Sequence, residues 1–307
     1  MFFQSFILGP LLCNDAVLLT VDSKVPLFLP KSCQLLPLIT DLAVFRMGKT
    51  YPLSRAILWR FQYRHLLQRT DCFLSISEFT KRELTDVFGI PAERIRVIPC
   101  SAGNDVVRIQ DTEAIVTLRR KYALPEEFIL FVGNPNPRKN LDRLIQAYEL
   151  MKRRSNLPHS LIIAGSHGWK FNQDKALKGR RDIRFIGYVR EEDMSALYSA
   201  AAALVFPTLY EGFGLPVVEA QRCGVPVLTS GISALPETAG KGALYVDPDN
   251  AEEIAEGIEK ILTDTALRTQ LIQEGFENAK RFSWERSAEK VNEVIEEIIG
   301  GPVQTGC

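Results

Sequence analysis

From residue 128 onward, short apolar runs alternate with stretches of helical periodicity, and this alternation limits the fold more than any other feature of the chain. FILFVG (128–133), LIIAGS (161–166), IRFIGYV (183–189), ALVFPT (203–208), VPVLTS (225–230) and ALYVDP (243–248) read as strands. NLDRLIQAYELMKRR (140–154), REEDMSALYSAA (190–201) and AEEIAEGIEKIL (251–262) read as the helices between them. Strand–helix–strand order predicts right-handed βαβ units, a parallel sheet and a doubly wound, Rossmann-like α/β domain.

The first hundred residues repeat the pattern more sparsely. AVLLTV (16–21), LLPLIT (35–40), DCFLSIS (71–77) and RIRVIPC (94–100) alternate with helical stretches and predict a second domain of the same type. A chain of 307 residues suits two domains, because single cores stop growing at roughly 250–300 residues. The segment from Ser101 to Asp111, with Gly103, Asn104 and Asp105, is the natural boundary. The expected layout is a partial N-terminal domain over 1–108, a C-terminal domain over 109–281 and an amphipathic helix within 282–300. The tail GGPVQTGC is expected to fray.

Charge and cysteine usage narrow the function. The net charge is zero, which gives no sign of a nucleic-acid partner. Six dispersed cysteines without a Cys-x-x-Cys pair fit reduced, buried thiols better than zinc or a disulfide framework. His65, His159 and His167 have no metal-ligand spacing. The apolar start lacks the basic leader of a signal peptide, and no apolar run approaches the ~20 residues that span a bilayer, so a cytoplasmic protein is expected. Between Leu42 and Thr70 lie six basic residues (Arg46, Lys49, Arg55, Arg60, Arg64 and Arg69) and no acidic one. The helix over SRAILWRFQYRHLLQR either packs its apolar side on a core beneath a solvated basic face, the ordinary outcome, or makes peripheral contact with an anionic membrane through residues 46–69.

The chemistry concentrates in LYEGFGLPVVEAQRCG, Leu209 to Gly224. Pro216 suits the first position of a helix and Gly224 its end, predicting a helix over 216–223 with Glu219 in its first turn. Gly212 and Gly214 let the backbone approach a ligand, while the helix start offers free N–H groups, an arrangement suited to diphosphate. Carboxylates flanking such a site, Glu211 and Glu219, would address hydroxyls rather than phosphate, which suggests a nucleotide sugar. Glycines before a helix also serve close packing, and a first-turn Glu is favoured by the dipole alone, so spacing leaves both readings open. GFGLPV lacks the third glycine of a dinucleotide fingerprint, Val217 standing in its place. Upstream, FVGNPNPRKNL places Gly133 at a strand end and Arg138 and Lys139 before a helix capped around Asn140, where cations would neutralise phosphate. A solvated basic turn is the alternative. Asp247-Pro248-Asp249 resembles an Asp-x-Asp metal motif but leads into a helix capped by Asn250, and is assigned to turn chemistry.

FVGNPNPRKNL, GYV, TLYEGFGLPVVEAQRCGVPVLTS, SALPE and FSWERSA occur in the order and spacing of the retaining glycosyltransferases of family 4, which have the GT-B fold of two Rossmann-like domains. The resemblance covers about residues 71–300. It implies that Glu211 hydrogen-bonds the transferred sugar near the reacting carbon and Glu219 holds the ribose. It also implies that the backbone around Gly212, Phe213, Gly214 and Leu215 meets sugar and phosphates, and that Lys139 grips the diphosphate. Tyr188 and Val189 lie where the family frames the base. No metal and no cofactor are implied beyond the nucleotide sugar itself, and the acceptor is expected to be a glycan or lipid-linked sugar. The C-terminal helix is expected to cross back to the first domain.

Two positions depart from that pattern. Asn134 stands where the family has an arginine, and Thr40 replaces the histidine of a His-Asp pair whose aspartate remains as Asp41. The first domain is also expected to be incomplete by ~60–70 residues against a full doubly wound domain, lacking a first strand and its glycine-rich loop. Asn134 weakens or replaces one phosphate contact, whereas Thr40 and the short first domain bear on the acceptor side, and they keep open a nucleotide-sugar-binding protein that is impaired or needs a partner, and an epimerase of the same fold.

Overall fold

Phe128, Ile129, Leu130 and Phe131 are completely buried, which is what a strand covered by helices on both faces requires. This strand is the first in the second of two compact units in the computed structural model, which describes residues 16–22, 33–51, 53–166 and 168–300. The apolar start, Cys13, His167, Cys307 and the tail lie outside the described residues, as do the side chains of Lys49 and Arg55. One unit comprises residues up to Cys100 with those from Trp284 onward; the other is Ser101–Ser283.

Within the first unit, strands β1 (Val17–Val21), β2 (Gln34–Ile39), β3 (Phe73–Ser75) and β4 (Ile95–Val97) form a parallel sheet in sequence order. Neighbouring side chains on a strand point to opposite faces, and the cores follow that rule. Leu35 and Phe73 pack with Tyr63, Leu66 and Leu84 on one side, whereas Leu36 and Leu74 pack with Ile98 and Val294 on the other. Val294 belongs to the helix Trp284–Gly300, whose Ser287 hydroxyl donates to the Pro99 carbonyl at 2.6 Å. The helix Leu53–Arg69 buries Tyr63 and Leu66. Its outer side is not purely basic: Ile57, Leu58 and Phe61 are exposed beside Arg60 and Arg64.

The second unit holds β5 (Phe128–Val132), β6 (Ser160–Ala164), β7 (Ile183–Gly187), β8 (Ala203–Phe206), β9 (Val227–Ser230) and β10 (Ala243–Val246). All are parallel, in the order β10-β9-β8-β5-β6-β7, which is the dinucleotide-fold order. From β5 the chain winds outward to β7, returns to the centre at β8 and winds outward again. The carboxyl ends of β5 and β8 therefore flank a topological switch point, where open α/β sheets bind ligands. Helix Leu141–Arg154 covers one face with Leu144, Ile145, Ala147, Tyr148 and Met151, and lies against helix Ala251–Thr263.

Candidate active site at the switch point of the second sheet

The loop after β5 is shaped around one lysine. Gly133 has φ +144°, and a Cβ there would meet the Lys139 side chain at 3.3 Å, so the glycine lets that side chain lie across the strand end. Asn136 caps the single turn Pro137–Lys139 by accepting from the Arg138 N–H at 3.1 Å. Asn140 occupies the N-cap position before helix Leu141–Arg154, as expected, but its side chain makes no cap bond. It sits at φ +57° and donates to the carbonyls of Pro207, at 3.0 Å, and Pro248, at 2.7 Å. The left-handed backbone turns the amide away from the helix, so it pins the loops after β5, β8 and β10 together.

The loop after β8 supplies the acid. Lys139 Nζ lies 2.7 Å from Glu211 Oε1 and 4.6 Å from the centroid of the Phe206 ring. Arg138 Nη1 reaches Glu211 Oε2 and the Tyr210 carbonyl, both at 3.4 Å. Lys139 and Glu211 are 9% and 6% exposed, so these are not solvated surface charges. The Leu209 N–H donates to the Arg138 carbonyl at 2.8 Å, and the Glu211 N–H to the Ser233 hydroxyl at 3.2 Å, fixing the loop from both sides. Two cations converge on one carboxylate in a largely buried place, so the cluster brings together donors of the kind that bind an anion.

Beyond Glu211 the backbone turns at Gly214, with φ +100°, where a Cβ would fall 2.7 Å from Leu235 Cδ2. Phe213 is buried edge-to-face on Phe282, which leaves its backbone rather than its ring to address a ligand. The helix runs Leu215–Arg222, one residue earlier than the sequence predicts, and ends before the left-handed Gly224. Glu219 is therefore beyond the first turn, and the dipole does not account for it. Its Oε2 accepts instead from the Tyr198 hydroxyl at 2.6 Å. The two glutamates do not share partners: Glu211 faces cations and Glu219 a phenol.

Burial pushes the Glu219 carboxyl above its ordinary range, with Asp105 and Glu191 adding to the rise and the Tyr198 hydrogen bond opposing it. A carboxyl whose folded pKa is raised binds its proton more tightly in the fold than in the unfolded chain. Its stabilising contribution is then present below the unfolded value and lost as pH rises through the folded one. Glu219→Gln, which removes the buried charge, should raise the melting temperature at neutral pH and narrow the gap to wild type as pH falls, as thermal unfolding from pH 4 to 8 would show.

The remaining predicted positions make other contacts. Asn134 is exposed, and its Oδ1 accepts from the Ser166 N–H at 2.7 Å, tying the ends of β5 and β6. After β7, Tyr188 is 69% exposed and Val189 is buried. In the first unit, the Thr40 hydroxyl and N–H both donate to Asp22 Oδ1, at 2.6 and 2.9 Å, while Asp41 accepts from the Ala43 N–H at 2.9 Å. Asp247 accepts from the Asp249 N–H at 2.9 Å, and Asn250 caps the next helix, so this triplet serves a turn. Among the described residues, no group of three or more His, Cys, Asp or Glu is placed to hold a metal ion. Sequence reasoning misses Tyr198 and Ser233. The first reads as one more apolar position of a helix. The second is a non-glycine residue at φ +57°, for which SGISALPE gives no spacing signal.

Two parallel sheets with helices, the second doubly wound with a buried cation–carboxylate cluster at its switch point, place the chain among the GT-B proteins. It belongs to the family described as glycosyl transferases group 1, whose model matches residues 116–278; that of glycosyltransferase family 4 matches residues 41–102. O-antigen chain mannosyltransferase B of Escherichia coli is 33% identical over 252 residues, covering 80% of this chain and 65% of its own length. The serotype-specific mannosyltransferase WbdA of Escherichia coli is 32% identical over 232 residues, covering 72% of this chain and 28% of its own length. The chain thus spans less than two thirds of each of these relatives. Among solved structures, Anabaena HepE in complex with UDP-glucose superimposes with a TM-score of 0.74 at 18% identity, over 86% of this chain and 72% of that one, a likeness of fold.

Proposed function

We propose that this chain transfers a hexose from a nucleoside-diphosphate sugar to a hydroxyl of a glycan or lipid-linked acceptor, with retention and without a metal ion. The observation that carries this reading is the convergence of Lys139 and Arg138 on Glu211 at the switch point. As the bond from sugar to diphosphate breaks, negative charge grows on the leaving oxygens. Fixed cations and the N–H groups at the start of helix Leu215–Arg222 would stabilise it without reorganisation. Glu211, displaced from the cations by the diphosphate, would accept hydrogen bonds from the sugar, and Glu219 from the ribose. Positioning of the acceptor hydroxyl on the departing face would supply much of the remaining acceleration.

The test is nucleoside diphosphate release across a panel of sugar nucleotides, beginning with mannose donors because the relatives above are named mannosyltransferases. Release by wild type that is lost in Glu211→Ala and Lys139→Ala supports the site; equal turnover in all three overturns it. Tight donor binding without turnover would favour a non-catalytic relative, a reading helped by Thr40, whose hydroxyl is engaged with Asp22 where the family carries histidine. Conversion of the sugar without acceptor would identify an epimerase.

The proposed place of action is the cytoplasmic face of a membrane. No helix among the described residues is long and apolar enough to cross one. Support for peripheral contact comes from exposed Ile57 and Phe61 on the helix that also presents Arg60 and Arg64. Basic residues near an anionic leaflet contribute about 1 kcal/mol each. Arg60→Glu/Arg64→Glu should therefore weaken sedimentation with phosphatidylglycerol vesicles by at least about tenfold, with no change on neutral vesicles.

A further inference from the structure

Tyr198 is completely buried on helix Glu191–Ala200, yet it spends its hydroxyl on a carboxylate of a different helix. We infer that Tyr198 is a positioning residue for donor recognition, holding Glu219 Oε2 so that Oε1 is presented to a vicinal pair of ribose hydroxyls. The inference rests on the donor reading of Glu219 given above.

Three observations support it. The bond is 2.6 Å, the short length of a hydroxyl donating to an ionised carboxylate. Among the described residues Glu219 Oε1 has no hydrogen-bond partner, so one oxygen is fixed and the other is open. Lastly, the other titratable groups around this carboxylate are acids. Asp105 from the interdomain segment, Glu191 from the helix of Tyr198 and Cys223 from the end of its own helix all disfavour a negative charge at Glu219 or are disfavoured by it. Tyr198 is the group that favours the ionised form. Burial and Glu219 together drive the phenol well above its ordinary range, so it stays protonated and always donates. A phenylalanine would fill nearly the same space, so a requirement for packing alone would not need the oxygen. An ionised carboxylate is acceptor-only, the state that two ribose hydroxyls need.

The test compares wild type, Tyr198→Phe and Glu219→Ala by calorimetry with a nucleoside diphosphate and its 2′-deoxy counterpart, and by the pH dependence of kcat/KM for the donor. Losing a hydrogen bond to a charged group should shrink the ribo-over-deoxy preference about tenfold in Tyr198→Phe. KM should rise while kcat stays within about twofold, and the acid limb of kcat/KM should move to higher pH. An unchanged preference and an unchanged acid limb in Tyr198→Phe overturn the inference, whatever happens to its melting temperature. If Glu219→Ala keeps the full ribose preference, the assignment of Glu219 itself fails, and that result is distinct from the first.

Discussion

Glu211→Ala should lose sugar transfer by about a thousandfold or more, as expected when a group acting on the transition state is removed, and yet bind free nucleoside diphosphate more tightly than wild type. Glu211 is the counter-charge of Lys139 and Arg138, at 2.7 and 3.4 Å. A diphosphate must displace that carboxylate before it can use the same donors. Removing the acid removes the competitor but leaves two cations near one another in a buried place. Breaking a buried pair costs roughly 3–5 kcal/mol, so the variant should be less stable when empty and regain stability as nucleoside diphosphate is added. Lys139→Ala should behave oppositely, losing both turnover and diphosphate binding, with no rescue of stability by ligand. Calorimetry and thermal unfolding with and without nucleoside diphosphate separate the two patterns. A Glu211→Ala protein that binds the diphosphate as weakly as Lys139→Ala does would show that the carboxylate is no competitor.

The second large effect is expected at an uncharged side chain. Asn140→Ala leaves the Pro207 and Pro248 carbonyls without their amide donor and asks alanine to hold φ +57°. An unsatisfied buried carbonyl costs about 1–3 kcal/mol and a left-handed alanine roughly 1–2 kcal/mol. A loss of about 3 kcal/mol or more in unfolding free energy follows. Asn140→Gly relieves the backbone but not the carbonyls and should recover about 1 kcal/mol of that loss. Urea unfolding of the three proteins would measure both terms. If alanine and glycine cost the same, backbone conformation is not part of the effect.

The parts of this molecule that sequence reveals are those where one residue type answers one physical demand. The six strands of the second sheet are legible because burial on both faces forces continuous apolar runs such as FILFV and ALVF. Pro216 and Gly224 bracket their helix to within a residue, since proline tolerates only its first turn and glycine takes the left-handed end. The cluster of Lys139 and Glu211 is legible through the family resemblance, which names both positions, although the pairing between them is a matter of tertiary geometry. Asn140 and Tyr198 are illegible for a different reason: each suggests an ordinary local role, a helix cap and a helix-core aromatic, behind which a long-range hydrogen bond is hidden. Helix Thr265–Ala279 gives no separate signal because only Asp264 divides it from the helix before, accepting from the Leu267 N–H at 2.9 Å.

The hydrogen bond from Leu209 to the Arg138 carbonyl, and the amide of Asn140 on Pro207, sew the loops after β5 and β8 into one piece of chain architecture. For anyone exchanging segments between relatives to alter which sugar is carried, residues 133–140 and 207–215 then form one cassette. A graft of the glutamate loop alone would arrive without its fastenings, and would report on a broken seam rather than on a new preference.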